Sequence, residues 1–266
     1  ASNDAYYNGY ITVRTGAKLI INDSHVESLL ANMGCSTASI IKIYRYDGST
    51  GYVELNRSTV ISPSVADKGI ALSSIVFGTN TKPTFRLVDS TVQGNWVFYQ
   101  GFYILEGSTQ LLGNAYRKDA YIMDYRSAAV VADRDASGNV VLSVDGDVKY
   151  KNKNTDTVTT FTDYKLYYSV GEDTSGITNE YTGAISGIDA ETPIYVTIQI
   201  NKTYAFYSTP ASLTVPEKVL GDVNGDKVAD ATDLAIIRQC IISTASNSAA
   251  DINGDGNIDI CDLVYL

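Results

Sequence analysis

A mainly β fold in three successive parts is what the sequence predicts: a β-solenoid over residues 1–126, a β-sandwich over 127–216 and a small helical module over 217–266. Three observations predict it. A phrase of alternating apolar residues ending in a Ser-containing corner recurs through the first part. Short alternating runs divided by polar turns fill the second, and the third is crowded with Asp at fixed spacing. The 266 residues exceed what one small core holds. A content of 44% apolar and 19% charged residues is that of a globular chain. Twenty Tyr favour strands, because aromatic side chains suit a pleated, half-buried surface.

The recurring phrase reads LIINDSHV at 19–26, VELNRSTV at 53–60 and FRLVDSTV at 85–92, with a weaker copy, YILEGSTQ, at 103–110. Its corner serines are Ser24, Ser58, Ser90 and Ser108, spaced 34, 32 and 18 apart, near multiples of 17. Further strand-like runs, Ile40–Tyr46 and Ile70–Phe77, lie between the copies. One or two strands plus a corner at such a period suggest stacked coils. Leu19, Ile21, Val53, Leu55, Phe85 and Leu87 are the expected inward residues. An ordinary sandwich with turns at similar intervals is the alternative. In style the segment resembles the β-helical regions of bacterial surface and polysaccharide-active proteins.

The second part carries strand-like runs at Val140–Val144, Tyr164–Val170, Glu180–Ile185, Ile194–Tyr207 and Ala211–Val215. That spacing reads as an antiparallel, immunoglobulin-like sandwich. The stretch Tyr195–Ile200 leading to Ser208–Val215 resembles the end of a fibronectin type III domain. The tryptophan usual in that family is missing, since the single Trp96 lies in the preceding part.

The last part holds the most specific signal. Two twelve-residue loops offer Asp222, Asn224, Asp226, Asp230 and Asp233, then Asp251, Asn253, Asp255, Asp259 and Asp262, at positions 1, 3, 5, 9 and 12. The position-7 carbonyls would come from Val228 and Asn257. Ca2+ takes six to eight oxygens, and this spacing wraps alternate side chains about one point, so two ions are expected. From Glu217 onward eight Asp and one Glu face Lys218, Lys227 and Arg238, a local excess of acid that needs a cation. No helix enters the first loop, because Pro216 and Gly221 break the approach.

Loop-then-helix without an entering helix, the phrases GDVNGD at 221–226 and DINGDG at 251–256, and Asp-Leu at 233–234 and 262–263 resemble the dockerin family. The resemblance covers residues 221–266. It implies calcium-dependent binding to a cohesin-type scaffold domain of a cellulosome-like assembly outside the cell. Carried over, the recognition residues are Ala231, Thr232, Arg238 and Gln239, and in the second copy Ile260 and Cys261. Leu234, Ile237 and Ile241 recur at helical spacing as the module's core. Lys227 stands at position 6, where Gly is usual. A left-handed Cβ there costs roughly 1–2 kcal/mol, so the first site is expected to be the weaker.

Enzymatic signals are few. His25 is the sole histidine and falls in a corner related to Thr59, Thr91 and Thr109. No phosphate-binding Gly loop or zinc spacing occurs. Asp47, Arg57, Arg86 and Asp89 could serve a polysaccharide lyase on a solenoid face, and the alternative reading is a polysaccharide-active subunit, lyase or glycoside hydrolase, or a carbohydrate-binding component of such an assembly. The net charge of −10 argues against nucleic acid. Of three cysteines, Cys35 is expected to be a buried apolar group, and a Cys240–Cys261 bridge is left open. No stretch is apolar enough to span a membrane, and Ala1 opens no secretion signal. The chain thus reads as a piece of a longer extracellular, non-catalytic interaction protein or adhesin.

Overall fold

The computed structural model describes residues 9–13, 16–27, 39–43, 51–61, 68–70, 84–93, 101–112, 120–135, 137–171, 177–201, 205–243 and 247–265. Among them are nineteen strands and one α-helix. The chain forms two compact units, one of residues 1–129 with 146–163, the other of 130–145 with 164–266.

The first unit opens with strands in triplets: β1 (Gly9–Val13), β2 (Lys18–Asn22) and β3 (His25–Glu27); β4 (Ser39–Ile43), β5 (Tyr52–Asn56) and β6 (Thr59–Ile61); β7 (Lys68–Ile70), β8 (Thr84–Val88) and β9 (Thr91–Gln93). β10 (Gly101–Glu106) and β11 (Gln110–Leu112) follow. Each strand pairs in parallel with its counterpart in the next group, so three parallel sheets form: β1-β4-β7, β2-β5-β8-β10 and β3-β6-β9-β11. The recurring phrase dictates the register. Leu19 faces Val53, Phe85 and Tyr103 in turn, and Ile21 faces Leu55, Leu87 and Leu105. Val53, Leu55, Phe85, Leu87 and Tyr103 are completely buried, while Leu19 and Ile21 pack on them half-buried. The Phe85 and Tyr103 rings stack with centroids 5.6 Å apart.

The corners explain the serines. Asp23, Arg57 and Asp89 each adopt a left-handed φ of 46–48° and swing the chain from one sheet to the next. The serine after each takes part in a ladder. Ser24 N–H donates to Ser58 Oγ, Ser58 N–H to Ser90 Oγ (each 3.1 Å) and Ser90 N–H to Thr109 Oγ1 (3.3 Å). Each hydroxyl in turn donates to a carbonyl, as Ser58 Oγ does to Asn56 O at 2.8 Å. Backbone groups stay paired around the bend, as burial demands.

Two expectations are corrected at the fourth corner. It has one residue more: Val88 faces Glu106, but Thr91 faces Gln110. Thr109 therefore occupies the serine row in place of Ser108, and Gln110, not Thr109, aligns with His25, Thr59 and Thr91. Ser108 instead donates twice to Asp89 Oδ1, over Gly107, whose φ of 57° supplies the left-handed bend.

β12 (Ala120–Arg134) joins the large sheet beside β10 and turns back into β13 (Val140–Lys151), whose edge takes β14 (Thr159–Thr160). The leucine row ends at Asp124, which faces Leu105 and is held by both ends of the Arg126 guanidinium at 2.9 and 2.7 Å. In the second unit an antiparallel sheet forms from β15 (Tyr164–Val170), β16 (Asn179–Glu180), β17 (Pro193–Asn201), β18 (Ala205–Tyr207) and β19 (Ala211–Thr214). Ile194, Val196, Ile198 and Ile200 of the central β17 form its apolar face, and Thr197 and Gln199 on the other face are buried as well. The run expected at Ile194–Tyr207 is two strands, β17 and β18, and the one at Glu180–Ile185 shrinks to β16 plus a bridge from Ile185 to Val140. Cys35, Trp96, Asp47 and the strand ends expected at 44–46 and 71–77 lie outside the described residues.

Ser58→Ala removes a buried hydroxyl and leaves the half-buried Ser24 N–H without its acceptor, so it should cost about 0.5–1.5 kcal/mol in urea denaturation. Ser58→Thr should retain most of that stability, because Thr109 already fills the same row.

Candidate calcium site

The last part of the chain folds around two carboxylates. Asp233 and Asp262, the twelfth residues of the two loops, are fully buried. Asp233 Oδ1 accepts from the N–H groups of Val223 (2.8 Å) and Asn224 (2.9 Å), and Oδ2 from Asp230 N–H (2.9 Å). Asp262 repeats the pattern with Ile252 (2.8 Å), Asn253 (3.2 Å) and Asp259 (2.9 Å). Burial opposes the charge on each, but the surrounding N–H groups outweigh it and hold both carboxyls below the usual range.

The first residue of each loop draws the turn inward. Asp222 Oδ1 accepts from Gly225 and Asp226 N–H, and Oδ2 from Lys227 N–H, at 2.8–3.0 Å. Asp251 does the same with Gly254, Asp255 and Gly256 at 2.9–3.1 Å. Asn224 with Asp226, and Asn253 with Asp255, complete matching nets. Asp230 Oδ1 caps Thr232 N–H, and Asp259 Oδ1 caps Cys261 N–H, both at 2.7 Å. Helix α1 (Ala231–Ser243) starts at the first cap; the second begins a 3₁₀ turn at Asp262–Val264.

This donor set fits calcium. It is made of hard oxygens, and ligand atoms of Asp222, Asp226 and Asp233 lie within 4.8 Å of one another. All ten side chains expected at the loop positions take part in these nets. Val228 and Asn257 donate their N–H groups to Asp226 and Asp255 at 2.9 and 2.8 Å. Lys227 has φ +73° and its twin Gly256 φ +86°, so Lys227 does hold the left-handed conformation.

Of the residues carried over for recognition, Ala231, Thr232, Arg238, Gln239 and Cys261 are exposed, and Ile260 is 72% exposed. The core differs in part from the expected stripe. Ile237 is fully buried and Ile241 packs against it, but Leu234 is only half-buried. Cys240, Ala249, Ala250 and Val223 fill the space instead. Cys240 lies in that core and Cys261 on the surface, both free, so no bridge joins them. Asp259, beside Cys261, pushes its thiol up. Helical and strand periodicity miss the 3₁₀ turn Ser248–Ala250, capped by Asn247; its signal is an Asn before a Ser-Ala-Ala run.

Residues 220–266 match the family model of the dockerin type I domain. No curated protein and no solved structure matches the chain. This stretch is a dockerin type I domain, a kind of domain that binds calcium and docks onto cohesin domains in cellulosome-like assemblies. Among the described residues no helix is long and apolar enough to cross a membrane.

Two outcomes follow for the loops. With both buried carboxyls held low, their stabilising charge is present above the unfolded value and lost as pH falls through the folded one. In chelator, whatever helical circular dichroism the module keeps at neutral pH should therefore fall as the pH drops below the ordinary carboxylate value. Gly256→Lys has open space for its side chain and suffers only the backbone term, roughly 1–2 kcal/mol. Calorimetry should then show about five- to thirty-fold weaker calcium binding at the second loop.

Proposed function

We propose that this chain is an extracellular, non-catalytic stalk whose dockerin, loaded with two calcium ions, plugs it into a cohesin-bearing scaffold. The observation that carries the reading is the duplicated hydrogen-bond net, in which ten loop side chains at five matched positions converge twice. The ligands are Asp222, Asn224, Asp226, the Val228 carbonyl, Asp230 and Asp233, and in the second loop Asp251, Asn253, Asp255, the Asn257 carbonyl, Asp259 and Asp262. The first unit is read as a β-solenoid, supported by its three parallel sheets and serine ladder. The antiparallel sheet around β17 is read as part of an immunoglobulin-like sandwich.

Among the described residues, those that an enzyme would use are engaged structurally. His25 is exposed, with its ring Nε2 3.1 Å from Glu27 Oε2. Arg57 forks onto Asp23 at 2.6 and 2.7 Å, Asp89 binds Ser108, and Arg86 pairs with the buried Glu106. Arg57 and Asp89 sit at corners and Arg86 on a strand, each spent on holding adjacent groups of strands together.

Recognition is assigned to Ala231, Thr232, Arg238, Gln239, Ile260 and Cys261, all of them exposed. Surface plasmon resonance against cohesin domains should show binding in calcium and release in chelator. Arg238→Glu should weaken it several-fold by reversing a desolvated charge contact, while Lys18→Glu in the first unit should leave it unchanged. Binding to soluble polysaccharide in place of any cohesin would instead favour a carbohydrate-active role.

A further inference from the structure

The calcium module does not follow the β-strands on a bare tether. Within the second unit, the turn between β12 and β13 reaches the link, the first calcium loop and the turn between the two loops. Arg134, at the end of β12, donates to the carbonyls of Pro216 (2.6 Å), Gly138 (2.6 Å) and Ile188 (2.9 Å), which fixes the link against the turn. The Lys218 side chain lies against Gly138, so close that a Cβ there would collide with it. Ser137 Oγ meets Ser248 Oγ, in the 3₁₀ turn between the loops, at 2.8 Å. Asp133 Oδ2 accepts from Lys227 Nζ at 2.6 Å. Asp133, Arg134, Pro216, Lys218, Asp222 and Lys227 line one cleft.

Lys227 is the informative residue. It keeps a left-handed backbone that its twin loop gives to glycine, and it touches both sides of the joint. Its N–H holds Asp222 Oδ2 at 2.8 Å, while its ammonium holds Asp133. Asp222 opens the first loop, so one residue connects an ion-facing carboxylate to the strand turn. The pairing also matters electrostatically. A lysine at position 6 stands beside the charge of a bound dication, and Asp133 both neutralises the ammonium and draws it toward the turn. In line with this, the Lys227 hydrogen bond holds the Asp133 carboxyl below the usual range.

We propose that the β12–β13 turn is a docking seat for the first calcium loop, with Lys227–Asp133 as its strut, so that calcium at the first loop and rigidity of the joint support each other. The inference rests on the calcium reading of that loop. Reciprocity follows from linkage: whatever the seat adds to calcium affinity, calcium adds to the seat. Both partners of the ion pair are partly exposed, so the expected coupling is small but measurable.

The test is a calcium titration of the full chain against a competing chelator. The amide signals of Gly225 and Gly254, matched residues of the two loops, are followed by NMR. In Asp133→Asn the Gly225 midpoint should move to about two- to five-fold higher free calcium, with Gly254 unmoved. In a Lys227→Gly background, Asp133→Asn should shift neither signal, because the strut is already gone. In saturating calcium, trypsin should cut after Lys218 faster in Asp133→Asn than in the parent chain. Equal shifts at both glycines, or the same Asp133→Asn shift with and without Lys227, would overturn the seat. If both glycines respond in the parent and Gly225 ignores Asp133→Asn, the seat alone fails. If neither glycine responds to calcium in the parent, the calcium reading fails, and the seat with it.

Discussion

A backbone that turns inside a packed protein must find partners for the N–H groups that sheets and helices no longer satisfy. Side-chain oxygens do this at every bend that matters here. In the first unit, hydroxyls at Ser58, Ser90 and Thr109 take the N–H of the preceding row and pass their own proton to a carbonyl, which lets buried strands change sheet without an orphaned donor. In the calcium module, Asp233 and Asp262 each gather three N–H groups. A hydroxyl suffices where two strands of like register stack. A loop that reverses around an ion needs a carboxylate, which has more lone pairs and a charge that suits a cation.

That difference divides the labour within the chain. The first unit is held mainly by apolar rows and neutral hydrogen bonds, and its buried carboxylates are paired, Glu106 with Arg86 and Asp124 with Arg126 at the end of the leucine row. The module has a small core of Val223, Ile237, Cys240, Ala249 and Ala250, and its remaining organisation is acidic. So small a core leaves much of the folding free energy to the metal, which makes docking answerable to calcium.

The two loops are near copies in their hydrogen bonds and unlike in what they present. One shows Ala231 and Thr232 before its twelfth residue and continues into a full helix; the other shows Ile260 and Cys261 before a 3₁₀ turn. Lys227 against Gly256 adds a charge on one side only. The proposed seat uses that asymmetry, since the loop with the lysine is the one whose ammonium reaches the β12–β13 turn.

What the sequence determined by itself is the chemistry at short range. Alternation fixed which residues of β5 and β8 face inward, because side chains in a strand have a period of two. The loop positions named the residues of both acidic nets, because a twelve-residue loop turns its positions 1, 3, 5, 9 and 12 toward one point. Tertiary structure decided the rest. The extra residue in the fourth corner, which replaces Ser108 by Thr109 in the ladder, is visible only once the pairings Val88–Glu106 and Thr91–Gln110 are known. Leu234 yields its place in the module core to Cys240 because the packing partners Ala249 and Ala250 come from a turn that helical periodicity does not describe. Lys227 reads locally as a strained substitute for glycine. Its partner Asp133 lies 94 residues away in sequence, and an ion pair between exposed side chains leaves no pattern in either segment, because long-range contacts are set by how strands and loops pack and not by the period of the residues within them.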